Sequence, residues 1–144
     1  MAMEYNKSPV SMREGKVMID GLVVADSIKC EIKFTPEVWS GKQLGERTDS
    51  SRWIGGKITG TITRRRSTPF LKEKIKEYLA SGKTPEMTIQ GIHDDTNSDY
   101  YAAYGTDTVT CLGCVLTGDL NLVNLDSGGE VVEDSISFNA KSIV

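Results

Sequence analysis

The 144-residue chain is predicted to be mainly β, as an antiparallel β-sandwich or partly rolled barrel with one flanking α-helix at about residues 69–81. Two observations predict this class. Apolar and polar residues alternate along several separate segments, most clearly over residues 28–34, as in strands with one buried face. Only one segment has apolar residues at helical spacing instead, namely Leu71, Ile75, Tyr78 and Leu79.

Length and composition indicate a single globular domain. The hydrophobic share is 38% and the charged share is 26%, which is not the composition of a disordered chain. The formal net charge of −3 argues against a general nucleic-acid binder, because phosphate neutralisation needs an excess of Lys and Arg. No apolar run approaches the roughly 18 residues of a membrane span, and residues 1–14 lack a signal core, so we expect a cytoplasmic start and no membrane partner.

The chain is expected to divide into an N-terminal arm and one β-rich domain. Residues 1–14 are polar and aperiodic, which predicts a flexible or partner-ordered arm. Residues 15–144 form the domain, whose first strands flank Asp20-Gly21, a pair typical of tight hairpin turns. In the next strand Ile28, Cys30, Ile32 and Phe34 share one face, and the opposite face carries Lys29, Glu31 and Lys33.

Residues 35–52 have no sustained period and are predicted to be a long loop. Loops of this length are uncommon in compact domains and tend to be functional. Trp39 and Leu44 would rarely stand in a purely solvated loop, so this one is expected to contact a partner. A strand then follows to Thr63, with Ile58, Gly60 and Ile62 on one face and Thr59, Thr61 and Thr63 on the other.

The helix and the later strands complete the prediction. Thr68 is placed to cap the helix, Pro69 fits its first turn, and Gly82 ends it. A strand at residues 85–95, a turn-rich connection at 96–105 and one long strand or bulged hairpin around Gly113 at 106–123 come next. The last strand is expected to point Val132, Ile136 and Phe138 inward.

No constellation of residues indicates an enzyme, a cofactor or a metal. Cys111 and Cys114 form a C-x-x-C in a strand, where positions three apart point to opposite faces, so buried and inert thiols are favoured over a metal or redox pair. His93-Asp94-Asp95 lacks further histidines. Residues 95–99 resemble the start of a calcium loop but lack its glycine and its bidentate glutamate.

Arg64, Arg65 and Arg66 allow three interpretations. They lie in solvent where the strand ends, or they form inter-subunit ion pairs, or they bind nucleic acid directly. For the second interpretation the candidate acidic partners are Asp94, Asp95, Asp99, Glu133 and Asp134. It predicts that serine at all three positions weakens assembly in a salt-sensitive way, with little loss of monomer stability.

Four stretches in order carry a resemblance to a known family. They are "GKVMIDGLVVADSIKCEIKF", "RWIGGKITGTITRRRS", "PFLKEKIKEYLASG" and "CVLTGDLNLVNLDSGGEVVEDSISFNA". Over residues 12–144 the chain resembles the tail tube proteins of contractile phage tails, especially those of PBSX-type defective prophages and R-type bacteriocins. The three arginines depart from the single Arg expected at that strand exit.

The resemblance implies a structural protein whose hexameric rings stack into a hollow tube inside a contractile sheath. Implied partners are other copies of itself, the tail sheath, baseplate and tail terminator proteins, and DNA passing through the bore without sequence-specific binding. The implied location is the host cytoplasm during assembly and then the virion or tail-like particle. Candidate residues of the ring or stacking interface are Trp39, Leu44, Arg47, Trp53, Arg64, Arg65 and Arg66. Candidate bore-lining residues are Lys29, Glu31, Lys33, Thr59, Thr61 and Thr63.

An alternative from another class is a small-ligand or carbohydrate-binding β-module. Its aromatic platform would be formed by Trp39, Trp53 and the tyrosines of residues 100–104. A platform of this kind requires the rings to lie on one surface.

Overall fold

A computed structural model describes residues 6, 7, 9–24 and 26–144. The strands are β1 (Gly15–Ile19), β2 (Leu22–Val23), β3 (Ser27–Gly41), β4 (Ser50–Arg65), β5 (Met87–His93), β6 (Asp107–Thr117), β7 (Glu133–Ala140) and β8 (Ser142–Ile143). The helices are α1 (Phe70–Ser81), between β4 and β5, and α2 (Asp99–Tyr104), between β5 and β6.

The strands form one antiparallel sheet in the order β2-β1-β5-β6-β7-β4-β3, with β8 paired to β6. The sheet does not close into a barrel, and among the described residues 48% lie in strands and 13% in helices. The prediction of a mainly β, antiparallel fold is therefore confirmed. The Asp20-Gly21 turn also forms as predicted: both residues have positive φ, and Ile19 pairs with Leu22 across it.

The sheet bends over on itself at β6. The first part of β6 pairs with β5, whereas residues 115–117 pair with β7. Ile32 of β3 consequently faces β5 across the core, and its Cδ1 lies 3.2 Å from where a Cβ on Gly91 would stand. The core joins the two parts of the sheet through Val17, Ile19, Ile62, Met87, Ile89, Cys111, Cys114 and Phe138.

A bulge in β6 brings two cysteines together. Met87 pairs with Cys114 but Ile89 pairs with Cys111, so β6 contains one extra residue next to Gly113, whose φ is 62°. The prediction that the two thiols point to opposite faces is wrong for this reason. Both thiols are fully buried, and Cys114 Sγ donates to the Cys111 carbonyl at 3.4 Å. Burial raises the pKa of Cys114 to about 11, so the thiol stays protonated.

Helix α1 confirms the predicted helix but begins differently. Gly82 ends it with φ 71° and donates to the Tyr78 carbonyl, as expected of a C-terminal glycine. The N-cap is Pro69 without a side-chain cap, so the assignment of Thr68 as the cap is wrong. Thr68 Oγ1 instead accepts from Arg64. Helix α2 was not predicted, because six residues are too few to show a period.

The predicted loop at residues 35–52 is wrong. β3 continues to Gly41 and β4 begins at Ser50, so only residues 42–49 connect them. The alternation is hidden by glycines and by a bulge between Glu37 and Val38, which shifts the register. We call residues 35–57 the hairpin arm, because β4 pairs with β7 only from Ile58 onward.

The segment before β1 is held against the region that joins β5 to α2. Ser11 N donates to Asp95 Oδ2 at 3.0 Å, and Asp99 N donates to the Lys7 carbonyl at 2.7 Å. The predicted arm at residues 1–14 includes residues 1–5 and 8, which lie outside the described residues. A flexible or partner-ordered arm remains a prediction.

Candidate assembly surfaces

One face of the β3–β4–β7 sheet is polar along its length. Lys29 pairs with Thr63, Glu31 with Thr61 and Lys33 with Thr59, so the six predicted bore-lining residues lie on one face. The hydrogen bond from Lys33 lowers the pKa of Glu31. The face continues onto β7 through Ser135, Ser137 and Asn139, which are not among the predicted bore-lining residues although their alternation is visible in the sequence.

The opposite face of these strands is the core, so the three strands form a wall with one wet and one dry side. Ile62, Ile136 and Phe138 are almost completely buried on the dry side. Gly60 fits here for lack of a side chain, since a Cβ would approach the Phe138 ring to 2.3 Å. The polar side of the wall is left free to meet solvent.

β3 leaves a long open edge. It has 15 residues, and within the described part of the chain its only ladder is with β4. The other end of the sheet is β2, which has only two residues. Proteins usually protect long strand edges, because the unpaired N–H and C=O groups recruit other chains. β3 therefore offers a template for a strand of another copy.

The hairpin arm exposes apolar side chains that a monomer does not cover. Trp39 is 55% exposed, Trp53 is 66% exposed, and Leu44 at the connecting turn is fully exposed. The Trp53 ring lies 5.6 Å from that of Phe34 at the base of the arm. Four of the predicted interface residues, Trp39, Leu44, Arg47 and Trp53, thus lie on one projecting element. A two-stranded ribbon is marginally stable alone, so the arm is suited to packing against a partner.

Arg64 is an internal residue of the subunit. Its side chain is almost fully buried, and Nη2 donates to Asp26 Oδ2 at 3.2 Å and to Thr68 Oγ1 at 2.9 Å. The guanidinium also lies over the Phe70 ring. Burial alone would raise the pKa of Asp26, but hydrogen bonds from Ser67 and Arg64 and the Arg64 charge outweigh it, so that pKa is lowered. Arg64 therefore connects β4 to the start of β3 and to α1.

Arg66 is likewise engaged within the subunit. Its guanidinium binds the Asp134 carboxylate in a bidentate arrangement: Nε donates to Oδ2 at 3.0 Å, and Nη2 donates to Oδ1 at 2.8 Å. The pKa of Arg66 is raised, mainly by this hydrogen bonding. Its remaining donors reach the carbonyls of Asn121 and Leu122 at 2.7 and 2.8 Å. Arg66 thus anchors the β6–β7 connection to β4.

These contacts correct the interpretation of the arginines. Inter-subunit ion pairs are wrong for Arg64 and Arg66, because their carboxylate partners belong to the same subunit. The solvated strand exit is wrong for Arg64, which is 5% exposed, and a nucleic-acid grip by it is excluded by the same burial. Arg65 is exposed opposite Glu133, so its role at an interface stays a prediction.

The aromatic residues do not form one platform. Val38 pairs with Trp53, so the adjacent Trp39 points to the other side of the arm. Tyr100 and Tyr104 contact each other on α2, with ring centroids 5.0 Å apart. In the described part of the chain there is no cluster of His, Cys, Asp and Glu fit to hold a metal, and no helix long and apolar enough to span a membrane.

Comparison with known proteins shows which family this chain belongs to. The chain is 26% identical over 132 residues to the phage-like element PBSX protein XkdM and, likewise, to the uncharacterized protein YqbM, both of Bacillus subtilis (strain 168), covering 92% of this chain and 86% of each relative. Its fold is similar to a chain of the anti-feeding prophage baseplate, with a TM-score of 0.64, 12% identity and 95% of each chain covered. It is also similar to a chain of the PVC sheath-tube complex in the extended state, with a TM-score of 0.67, 9% identity and coverage of 94% and 90%. A family model described as phage tail tube protein matches residues 3–142, and the chain therefore belongs to the phage tail tube protein family.

Proposed function

We propose that the protein builds the inner tube of a contractile phage tail or phage-tail-like particle, as hexameric rings that stack into a hollow tube. The observation that carries this proposal is the combination of a one-sided polar wall with an open 15-residue edge. A subunit of this kind is completed by further copies rather than by a substrate, and its role is structural and not enzymatic.

Ring formation follows from the two ends of the wall. β3 forms one end, and β7 with residues 115–117 of β6 forms the other. When the β3 edge of one copy meets the far end of the next, contacts are head to tail, and rotation about a common axis closes them into a ring. The polar faces then line the bore through Lys29, Glu31, Lys33, Thr59, Thr61 and Thr63, and the number of six subunits is taken from the family resemblance.

Stacking of rings is assigned to the hairpin arm. The arm extends beyond the strands that β7 supports, and it carries exposed Trp39, Leu44 and Trp53. Packing these side chains against the next ring would bury apolar surface worth about 25 cal/mol per Å². Arg47 at the turn, Arg65 at the strand exit and the segment 1–14 are further candidates for ring contacts.

The proposed partners outside the tube are the sheath, the baseplate and the tail terminator. The two similar solved structures come from a sheath-tube complex and a baseplate, which supports partners of this class. DNA is proposed to pass through the bore without sequence-specific contacts, because the mixed hydroxyl, amide and charged side chains of the polar wall suit the phosphate backbone, which carries no sequence information. We place assembly in the host cytoplasm, before the tube enters a virion or tail-like particle.

Concentration-dependent assembly of the purified protein tests the proposal. We expect sedimentation velocity to show monomers at low concentration and a sixfold larger species as concentration rises. Negative-stain electron microscopy of the concentrated sample should show rings and tubes with a central hole. A monodisperse monomer at every concentration, also after sheath protein is added, would contradict the proposed function.

A further inference from the structure

A groove lies beside the open edge of β3, where the unclosed sheet leaves a gap. β1, β2, the start of β3 and the end of β5 surround a cavity of about 640 Å³. Its floor is apolar, with Val24, Ile32 and Val109 half-buried. Val23 and Ile28 on its walls are about half exposed, at 55% and 47%. Such a groove fits an apolar segment of chain.

The rim of the groove is basic. Arg13 and Lys16 line it, against the single carboxylate of Glu14, and Lys29 borders it from the polar face of β3. The nearby carboxylate of Asp26 does not offset these charges, because it is paired with Arg64. An occupant of this groove should therefore combine apolar side chains with negative charge.

One segment of the same chain has these properties. Residues 118–132, the connection from β6 to β7, contain Asp119, Asp126 and Glu130 and no basic residue. The segment also exposes four of its six apolar side chains, which a monomer leaves in water: Leu122 52%, Val123 74%, Leu125 89% and Val131 64%. We call it the acidic connection.

The acidic connection is held in place within its own subunit. Arg66 binds the carbonyls of Asn121 and Leu122 and is itself fixed by Asp134. Asp126 further shapes it, since its Oδ1 accepts from Gly128 N at 2.9 Å. The exposed apolar side chains are therefore presented on an anchored backbone, which lowers the entropy lost on docking.

The groove and the two ends of the acidic connection lie at opposite edges of the wall, and Arg66 holds Asn121 and Leu122 at the end of β4 between them. The groove adjoins β3, whereas the connection leaves β6 at Thr117 and enters β7 at Glu133. In a head-to-tail arrangement these two edges meet between neighbouring copies. We propose that the acidic connection of one copy docks in the groove of the next copy within a ring. This inference rests on the proposed function and names the contact that joins adjacent subunits.

Charge exchange tests this contact in the full-length protein. A groove variant carries Arg13→Glu and Lys16→Glu, and a connection variant carries Asp119→Lys and Glu130→Lys. A third chain carries all four changes, so every groove and connection have exchanged charges. We expect each double variant to weaken ring formation about tenfold by sedimentation velocity, and the combined chain to return within about threefold of wild type. The matched control, Lys76→Glu with Lys83→Glu, makes the same change in net charge on exposed positions elsewhere.

The outcomes separate this contact from the proposed function. Melting temperatures of the variants should stay near that of wild type, because the exchanged side chains are exposed. If wild type forms rings but the combined chain assembles no better than the double variants, the docking is overturned and the proposed function stands. The same holds if the groove variant behaves like the control. If wild type itself forms no rings, the proposed function fails first.

Discussion

Replacing Arg64 with alanine is expected to destabilise the folded subunit by about 3 kcal/mol. The substitution removes a guanidinium that is 5% exposed, and it leaves the carboxylate of Asp26 without its charged partner in a mostly buried position. It also removes the donor to Thr68 at the start of α1. For a domain of this size the melting temperature should fall by roughly 10 °C, measured by thermal denaturation of the monomer at low concentration.

Arg65→Ala is the matched control, since the neighbouring side chain is exposed and should contribute about 0.5 kcal/mol or less. The pH dependence provides a second readout. The pKa of Asp26 is below 3.8 in the folded state, so its ionised form stabilises the subunit at neutral pH, and that stabilisation is lost as pH falls through the folded pKa. The difference between wild type and Arg64→Ala should therefore narrow below about pH 4.

Equal effects of the alanine substitutions at Arg64 and Arg65 would contradict the structural role of Arg64. The structure also reverses the expectation that serine at all three arginine positions spares the monomer. Two of the three side chains anchor distant parts of the same subunit, with Asp26 and Asp134 as their partners. We expect the triple serine variant to lose stability before assembly is tested.

Shortening the hairpin arm is expected to abolish tubes while the subunit stays folded. Glu37 and Gly55 are paired, so residues 38–54 can be replaced by Asn-Gly, a two-residue turn that suits a hairpin. The residues of β3 and β4 that pack in the core, such as Ile32 and Ile58, lie outside the replaced segment, so their packing remains intact. Negative-stain microscopy should then show isolated rings, without tubes, at concentrations where wild type forms tubes, and melting should change by only a few degrees.

A smaller deletion separates the turn of the arm from its strands. Gly41 and Ser50 are also paired, so Asn-Gly in place of residues 42–49 removes Leu44 and Arg47 but keeps Trp39 and Trp53. If the strands carry stacking, this variant still forms tubes, and if the turn carries it, both variants give rings alone. Tubes of normal length from the longer deletion would contradict the assignment of stacking to the arm.

Much of the wall could be predicted from the sequence, because its strands alternate regularly. Lys29, Glu31 and Lys33 were placed on the face opposite Cys30 and Ile32, and the register confirms that the threonines of β4 lie beside them. In the hairpin arm, by contrast, alternation does not reveal the strands. There a bulge shifts the register, and glycines replace the apolar residues that would mark a face.

The arginine contacts could not be predicted, because they depend on the topology. Asp26 is 38 residues from Arg64, and Asp134 is 68 residues from Arg66, and no local pattern links such positions. The prediction that the thiols of Cys111 and Cys114 point to opposite faces is wrong for a related reason. Gly113 permits a bulge that returns Cys114 to the face of Cys111, and a glycine alone does not reveal the register of the neighbouring strand.

Hydrogen exchange along β3 tests most directly whether its edge is completed by another copy. In the monomer, backbone N–H groups of residues 27–35 that point away from β4 should exchange freely, since no strand among the described residues covers that edge. In assembled tubes the same groups should exchange about a hundredfold more slowly. Residues 58–65 of β4 are the internal control, because β3 and β7 protect them in both states. Full protection of the β3 edge in the monomer, unchanged on assembly, would contradict the account.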